Sequence, residues 1–314
     1  MIGISPRQLE VFAAVATRGS VRMAAEQLHL TQPAASMALA ELERRLGVAL
    51  FDRTQRRLHL NARGRALLPL AREALQRLQE IEGHGNAAAA PTLSGELRIG
   101  TSNTVGNYRI GELLGGFVAA HPQVAVRLTV GNTAAVLAQL RDYALDAACV
   151  EGTVADATLE TVPWREDALA VCARPDHPLA RRRRLRAANF AGARWILREP
   201  GSATRVLAER ALAQLPAGET VLELDQTEAI KQAVVAGLGI ACLPEVAVRD
   251  AVAAGRLVML ATPFLELRRT LRLVVGHGRY HGALLDAFLA AARATPTAPP
   301  QAAAKRRRIR SVPV

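Results

Sequence analysis

Two groups of residues in this chain have types and spacings that could do chemistry. The first is Thr31-Gln32-Pro33, followed one helical turn later by Ser36-Met37, with Arg53, Arg56 and Arg57 further along. A Gln amide near a helix start pairs with adenine edges, and flanking arginines hold phosphates or enter the minor groove. The second group is scattered: Thr101, Ser102, Asn103 and Thr104; Asn132 and Thr133; Glu151; Arg198, Glu199, Ser202 and Thr204; Thr227 and Glu228. Hydroxyls, amides and free N–H groups at helix starts, with one or two arginines, form a receptor for a small oxyanion or carboxylate. Ser, Thr and Asn are also ordinary helix caps, so this group rests on repeated placement after strands and not on any single residue.

The first group needs a rigid head to present it. Leu9, Phe12, Ala13 and Ala16 recur at helical spacing between Pro6 and Thr17, and Arg18-Gly19 supplies a stop. Ser20 is placed to cap a second helix from Val21 to Leu28, and Thr31 a third running to Leu46 before Gly47. In that third helix Ala35, Leu39, Leu42 and Leu46 form the buried stripe, which turns Pro33, Ser36 and Met37 outward. Glu41 and Glu43 would repel phosphates and swing the helix end away from the groove. Leu50 to Arg53 and Arg57 to Leu60 read as the strands of a wing around Thr54-Gln55-Arg56. Asn61 then caps a long helix to about Glu82, whose Leu68, Ala71, Leu75 and Leu78 make a heptad-like seam for a dimer.

Arg7-Gln8-Leu9-Glu10-Val11-Phe12, Ala24-Ala25, Thr31-Gln32-Pro33-Ala34-Ala35-Ser36, Leu46-Gly47 and Leu50-Phe51-Asp52-Arg53 together resemble the head of LysR-type transcription regulators. The likeness implies that Gln32, Pro33, Ser36 and Arg53 belong to a DNA surface. Met37 and Ala38 depart from the more polar residues that many members carry there, which shifts specificity toward shape and phosphate contacts. A nucleoid-like structural protein is a rival reading of the same basic head.

Beyond Gly83-His84-Gly85-Asn86 and an alanine run, strands and helices alternate: Leu97 to Gly100, Tyr108 to Ala120, Val124 to Val130, Thr133 to Arg141 and Asp146 to Val150. That order implies a parallel sheet covered by helices. A second set follows, with strands near Ala168 to Ala173, Arg194 to Leu197 and Val221 to Leu224, and helices near Ala203 to Gln214 and Glu228 to Gly237. The resemblance implies that Leu271 to Val275 and the helix from Gly282 return to the first lobe. The expected fold is α/β: a winged helix-turn-helix and linker helix, then a two-lobed domain like periplasmic binding proteins (type II). The expected division is residues 1–62, 63–91, 92–294 (lobes 92–162 with 267–294, and 163–266) and a basic tail, 295–314, expected to be disordered. In such sheets ligands gather at the carboxyl ends of strands, where the second group falls.

Thr101 to Tyr108, Gly131-Asn132-Thr133, Val150-Glu151-Gly152, Trp195 to Ser202 and Thr227 to Lys231 resemble the branch holding sulfur-assimilation regulators, with carbon-fixation regulators nearby. Sulfite is therefore the leading expected effector. The resemblance also implies a homo-oligomer, a dimer of dimers, with RNA polymerase as a further candidate partner beside promoter DNA.

Composition bounds the rest. The net charge of +12 divides into +4 over residues 1–90, +3 over 91–300 and +5 over 301–314, so basicity sits at the ends. No apolar run is long enough for a membrane span and no signal-peptide pattern appears, which reads as cytoplasmic with no membrane partner. Cys149, Cys172 and Cys242 lie far apart, and His277 with His281 lacks a completing ligand, so neither metal nor cofactor is expected. An enzyme is the other rival for the cleft, but no GxSxG, HExxH or phosphate-binding glycine loop is present.

Overall fold

The structure, a computed structural model, describes residues 3–54, 57–84 and 93–294. The head opens with α1 (Pro6–Arg18), α2 (Val21–Gln27) and α3 (Gln32–Leu46). Ser5 starts α1 with a reciprocal cap: its hydroxyl accepts from Gln8 N at 3.3 Å, and the Gln8 side chain accepts from Ser5 N at 2.8 Å. Thr31 caps α3 through Ala34 N at 3.3 Å, and Gly47 ends it with φ +69°. Ser20, expected to cap α2, makes no side-chain cap bond. Phe12 meets Phe51 edge-on at 5.7 Å in a core shared with Ala35, Leu39 and Leu42. The wing is β1 (Phe51–Thr54) paired antiparallel with β2 (Arg57–Leu60).

Helix α4 (Ala62–His84) starts at Asn61, whose side chain accepts from Gly64 N at 2.9 Å. Its expected seam divides between two jobs. Leu68 and Ala71 are buried in the head's own core, so the first turns of α4 fasten the helix to α1. The large apolar side chains of α4 left in solvent are Leu70 (63 % exposed), Leu78 (37 %) and Ile81 (66 %), so of the seam read in the sequence only Leu78 belongs to the exposed stripe. Spacing alone does not separate these faces, because both have heptad-like repeats.

The remaining elements are β3 (Gly95–Ser102), α5 (Asn103–Tyr108), α6 (Ile110–Ala120), β4 (Val124–Gly131), α7 (Thr133–Arg141), β5 (Ala147–Glu151) and β6 (Leu159–Ala173). They are followed by β7 (Arg194–Arg198), α8 (Ala203–Leu212), β8 (Glu219–Leu224), α9 (Thr227–Val235), β9 (Ala241–Pro244), α10 (Glu245–Ala253), β10 (Val258–Met259), β11 (Arg268–Gly276) and α11 (Gly282–Ala294). Strand β3 pairs parallel with β4 and β5, whereas β11 returns antiparallel beside β5, so the first lobe's sheet is mixed. Its core gathers Leu97, Ile99, Phe117, Leu273 and Phe288. In the second lobe β7 pairs parallel with β8, and β9 lies antiparallel on β6.

The main departure from expectation is β6, which begins at Leu159 and runs 15 residues through both lobes. Pro163 and the charges around it hide this strand in the sequence. A register shift between Leu271 and Arg272 of β11 falls opposite, where Arg165 and Pro163 are the successive partners. The helix expected from Tyr108 to Ala120 begins at Ile110 as α6, and a separate short helix, α5, which the sequence reading did not anticipate, ends at Tyr108 with Arg109 between them. The short β9 and α10 escape sequence reading because their Ala- and Val-rich residues carry no decisive period.

Head and first lobe meet within the chain. Tyr143, in the left-handed region at φ +57°, packs against the head's core, and the Arg279 guanidinium carbon lies 3.5 Å from its ring centre. The Gln76 side chain of α4 donates to His281 O at 3.0 Å. Arg72 is the electrostatic weak point: burial, then Arg98, pushes its guanidinium down to about 9, against which Asp146 and Glu96 act. The unfolded chain holds that proton more tightly than the folded one. The cost is therefore present below about 9 and fades as pH rises above it. Replacing Arg72→Met should leave the urea midpoint near pH 7 unchanged or raise stability by about 1–4 kcal/mol. A clear loss of stability in that titration would show that the cation itself holds the junction.

Candidate functional site

Of the eight residues expected to face DNA, the five on α3 and its cap stand together on the head. Thr31, Gln32, Pro33, Ser36 and Met37 are all exposed, along one run from the cap of α3, and Met37 is 73 % exposed. Arg56 lies outside the described residues, as do the side chains of Arg53 and Arg57. The two carboxylates expected to repel phosphate are both engaged. Hydrogen bonds from Arg44, with a further contribution from Arg45, hold Glu41 down at about 2. The Glu43 carboxylate accepts from Leu50 N at 2.7 Å and so secures the approach to the wing. Near the end of α3 the charge of Glu41 is thus offset by Arg44 and Arg45, while the Glu43 carboxylate is tied to the backbone.

The second group divides when placed in three dimensions. Several members serve as caps: Ser202 accepts from Arg205 N at 3.4 Å, Ser102 from Val105 N at 3.4 Å, and Asn132 from Ala135 N at 2.9 Å. Thr101 is fully buried, and a Cβ added at Gly106 would lie 2.6 Å from its Oγ1, so this hydroxyl faces α5. Other members converge between the lobes. Thr104 Oγ donates to Glu151 Oε1 at 2.8 Å, and Thr204 Oγ reaches the same oxygen at 3.5 Å from the other lobe. Thr133 is buried at the start of α7.

What joins them is Arg269, which sequence reasoning did not single out. Its guanidinium donates to Thr204 Oγ at 2.9 Å, Thr104 Oγ at 3.1 Å and Asp167 at 2.8 Å, and lies 3.4 Å from Glu151 Oε1. A signal was present: in Leu267, Arg269, Leu271, Leu273 and Val275 every second residue is buried, and an arginine inside such a stripe requires partners. Arg198 is held by its neighbour Glu199 through two bonds of 2.8 and 3.0 Å, and also donates to Thr227 Oγ at 3.1 Å. Glu228 pairs with Lys231 at 2.6 Å. Burial works against the Glu228 carboxylate, but bonds from Lys231 and Gln232 hold it below its usual range. Burial first, then Glu228, raises the Tyr108 hydroxyl.

The lobes also touch through their loops. Ala134 N donates to Gly201 O at 3.1 Å, and Asn103 Nδ2 to Asp225 O at 3.3 Å. Gly201 has φ +88°, and a Cβ there would lie 3.1 Å from Ala134 Cβ, so a glycine is required for this approach. All three cysteines are buried, and burial pushes each thiol up to about 12, which leaves them poor nucleophiles at neutral pH.

A helix-turn-helix and wing joined to two lobes that meet at a polar cluster is an architecture with known relatives. Residues 6–65 match "Bacterial regulatory helix-turn-helix protein, lysR family", and residues 90–296 match "LysR substrate binding domain". The chain belongs to the LysR family. This LysR-family protein is 41 % identical over 269 residues to the uncharacterised HTH-type transcriptional regulator YeiE of Escherichia coli K12, covering 85 % of this chain and 90 % of that one. It is 34 % identical over 287 residues to the RuBisCO operon transcriptional regulator of Acidithiobacillus ferrooxidans, covering 90 % and 91 %. Among solved structures, a full-length OxyR variant from Pseudomonas aeruginosa shares the fold, with a TM-score of 0.75 at 23 % identity over 94 % of this chain and 96 % of that one. The Synechocystis CcmR regulatory domain in complex with 2-PG aligns with a TM-score of 0.60 at 27 % identity, over 64 % and 97 %. This LysR-family member is therefore a DNA-binding transcription regulator with an effector-binding domain, and not an enzyme. Among the described residues no helix is long and apolar enough to cross a membrane.

The buried cluster generates a stability prediction. Arg269→Met removes the cation that Asp167 and Glu151 share, leaving Asp167 only the longer 3.5 Å contact with Arg109, and should cost about 3–5 kcal/mol. Adding Asp167→Asn to that variant should return part of the loss. Urea unfolding of the two variants checks this, and additive losses would argue against the pairing.

Proposed function

We propose that this regulator binds promoter DNA through Thr31, Gln32, Pro33, Ser36, Met37, Arg53, Arg56 and Arg57, under control of a small oxyanion held between the lobes, with sulfite the first candidate. The observation that carries it is the meeting of Thr104 and Thr204, one from each lobe, on Glu151 and Arg269. A ligand that draws on both lobes at this point changes their separation and shifts the population between open and closed forms. The N–H groups at the starts of α7, α8 and α9, with Asn132, Thr133, Ser202 and Thr227 around them, suit a small anion. The 2-PG carried by the CcmR domain makes that compound the second ligand to test.

In this reading residues 1–62 are the DNA head, 63–91 the linker and hinge, and 92–294 the effector domain with lobes 92–162 plus 267–294 and 163–266. The tail, 295–314, lies outside the described residues and adds sequence-independent affinity through its basic run. The exposed stripe of Leu70, Leu78 and Ile81 on α4 supports a homo-oligomer, taken as a dimer of dimers, and RNA polymerase is the expected further partner at a promoter.

Gln32→Ala should cost about 1–3 kcal/mol in binding its own operator and little on unrelated duplex DNA, as measured by fluorescence anisotropy. Equal losses on both would assign Gln32 to the backbone and not the bases. Footprinting the DNA upstream of its own gene with and without sulfite tests effector control. A footprint unchanged by sulfite, together with no calorimetric binding of sulfite, sulfate or thiosulfate, removes the oxyanion from the proposal. Removing the tail should flatten the salt slope by about 0.9 for each phosphate it had neutralised, and an unchanged slope argues that it does not touch DNA.

A further inference from the structure

Where the head meets the first lobe, positive charge is left over. A hollow of about 240 Å³ opens there, lined by Thr17, Arg18 and Gln27 of the head and by Arg98, Arg127 and Thr129 of the lobe. Arg98 is matched by Asp146, and Arg127 by Glu96 at 2.6 Å. Arg18 Nε donates to Gln27 Oε1 at 2.8 Å, and among the described residues no carboxylate pairs with it. Arg72 of α4 reaches the same place: its Nη2 donates to Thr17 Oγ1 at 3.2 Å, while Nη1 is buried without a hydrogen-bond partner. Arg98 and Arg279 repel its charge, and Asp146 and Glu96 attract it. Arg279 donates only to the carbonyls of Leu140 and Arg141 and lies over the Tyr143 ring. Among these residues five guanidiniums share two carboxylates, and both carboxylates are held by Arg98 and Arg127. A buried guanidinium with an orphaned N–H carries an uncompensated desolvation cost, which a negatively charged acceptor removes. Guanidinium forks that come from several elements suit a tetrahedral oxyanion, whose oxygens accept in several directions, and the excess of charge suits a dianion.

We propose that the junction of the head and the first lobe is a receptor for a phosphate dianion, either inorganic phosphate or the phosphoryl group of a small metabolite, held by Arg18 and Arg72 on one side and by Arg127 and Thr129 on the other. The site is separate from the cleft between the lobes and shares none of its residues. Its occupant ties the end of α1 and the side of α4 to β4, so it holds the head against the lobe directly and without lobe closure. Arg72 is then a weak point only while the site is empty, because the anion supplies the counter-charge that the chain does not.

The test is hydrogen-exchange mass spectrometry on the full chain, first in chloride and then with chloride replaced by inorganic phosphate at the same ionic strength. Phosphate should slow amide exchange by roughly threefold or more in residues 13–28 and 124–131, the two walls of the hollow. Arg72→Met and Arg18→Gln should each remove most of that slowing. Arg18 is exposed, so its replacement leaves the fold intact and decides the matter even if Arg72→Met misfolds. Slowing that persists in both variants, or that is confined to the openings of α8 and α9, puts the phosphate elsewhere and overturns the junction site. No slowing at all overturns it too. Duplex phosphates carry the same chemistry, so operator binding is measured in parallel, and Arg18→Gln should leave its salt slope unchanged. A slope flattened by about 0.9 assigns Arg18 to the duplex and overturns a receptor for a free anion.

Discussion

A guanidinium buried at the crossing of two lobes must be surrounded by acceptors, and much of the effector domain is arranged around that requirement. Arg269 stands on β11, takes Asp167 from β6, and reaches Thr104 at the start of one lobe's helix and Thr204 at the start of the other's. Each partner comes from a different element, so the charge is satisfied only when those elements hold their places together. Pairs of this kind add little net stability compared with an apolar core, but breaking one is expensive. Their value here is geometric, since they define one arrangement of the lobes against many that apolar packing would tolerate.

The head is organised on a different basis. Its three helices close over Phe12, Leu42 and Ala35, and α4 joins that core through Leu68 and Ala71 before it leaves. The effector domain then grips the same helix from the other end, where His281 O accepts from Gln76 and Tyr280 lies under Arg77. Gly282 has φ +66° and leaves no room for a side chain beside Gln76, which explains a glycine as the first residue of α11. Tyr143 completes a second bridge. A movement of the first lobe therefore has two solid routes to the head, one through α4 and one through the loop after α7.

The head was largely legible in the sequence because its signals are local: caps, αL glycines and a 3.6-residue apolar stripe coincide at each boundary. Strands β3, β4, β5, β7 and β8 were legible for the same reason. The failures have one cause, which is that partnership across long separations leaves little local trace. The first half of β6 looks like a charged, proline-bearing loop until β11 is laid beside it. Arg269 looks like one more surface arginine until its neighbours at Leu267 and Leu271 are seen to be buried. In the candidate site, strand-end hydroxyls were found because topology brings strand ends together, but which of them cap helices and which face the other lobe depends on side-chain direction. Arg198 reads in the sequence as a receptor for an anion, and its own neighbour Glu199 occupies it.

The long pairing of β6 with β11 has a mechanical consequence. Two antiparallel strands that run from one lobe into the other, with their register slipping once opposite Pro163, make a ribbon that resists stretching and sideways shear but yields to twist. The joint between the lobes then behaves as a torsion bar with a preferred axis. By geometry alone, a rotation of one lobe about that axis would displace residues at the lobes' rims farther than those at the crossing, where Arg269 sits.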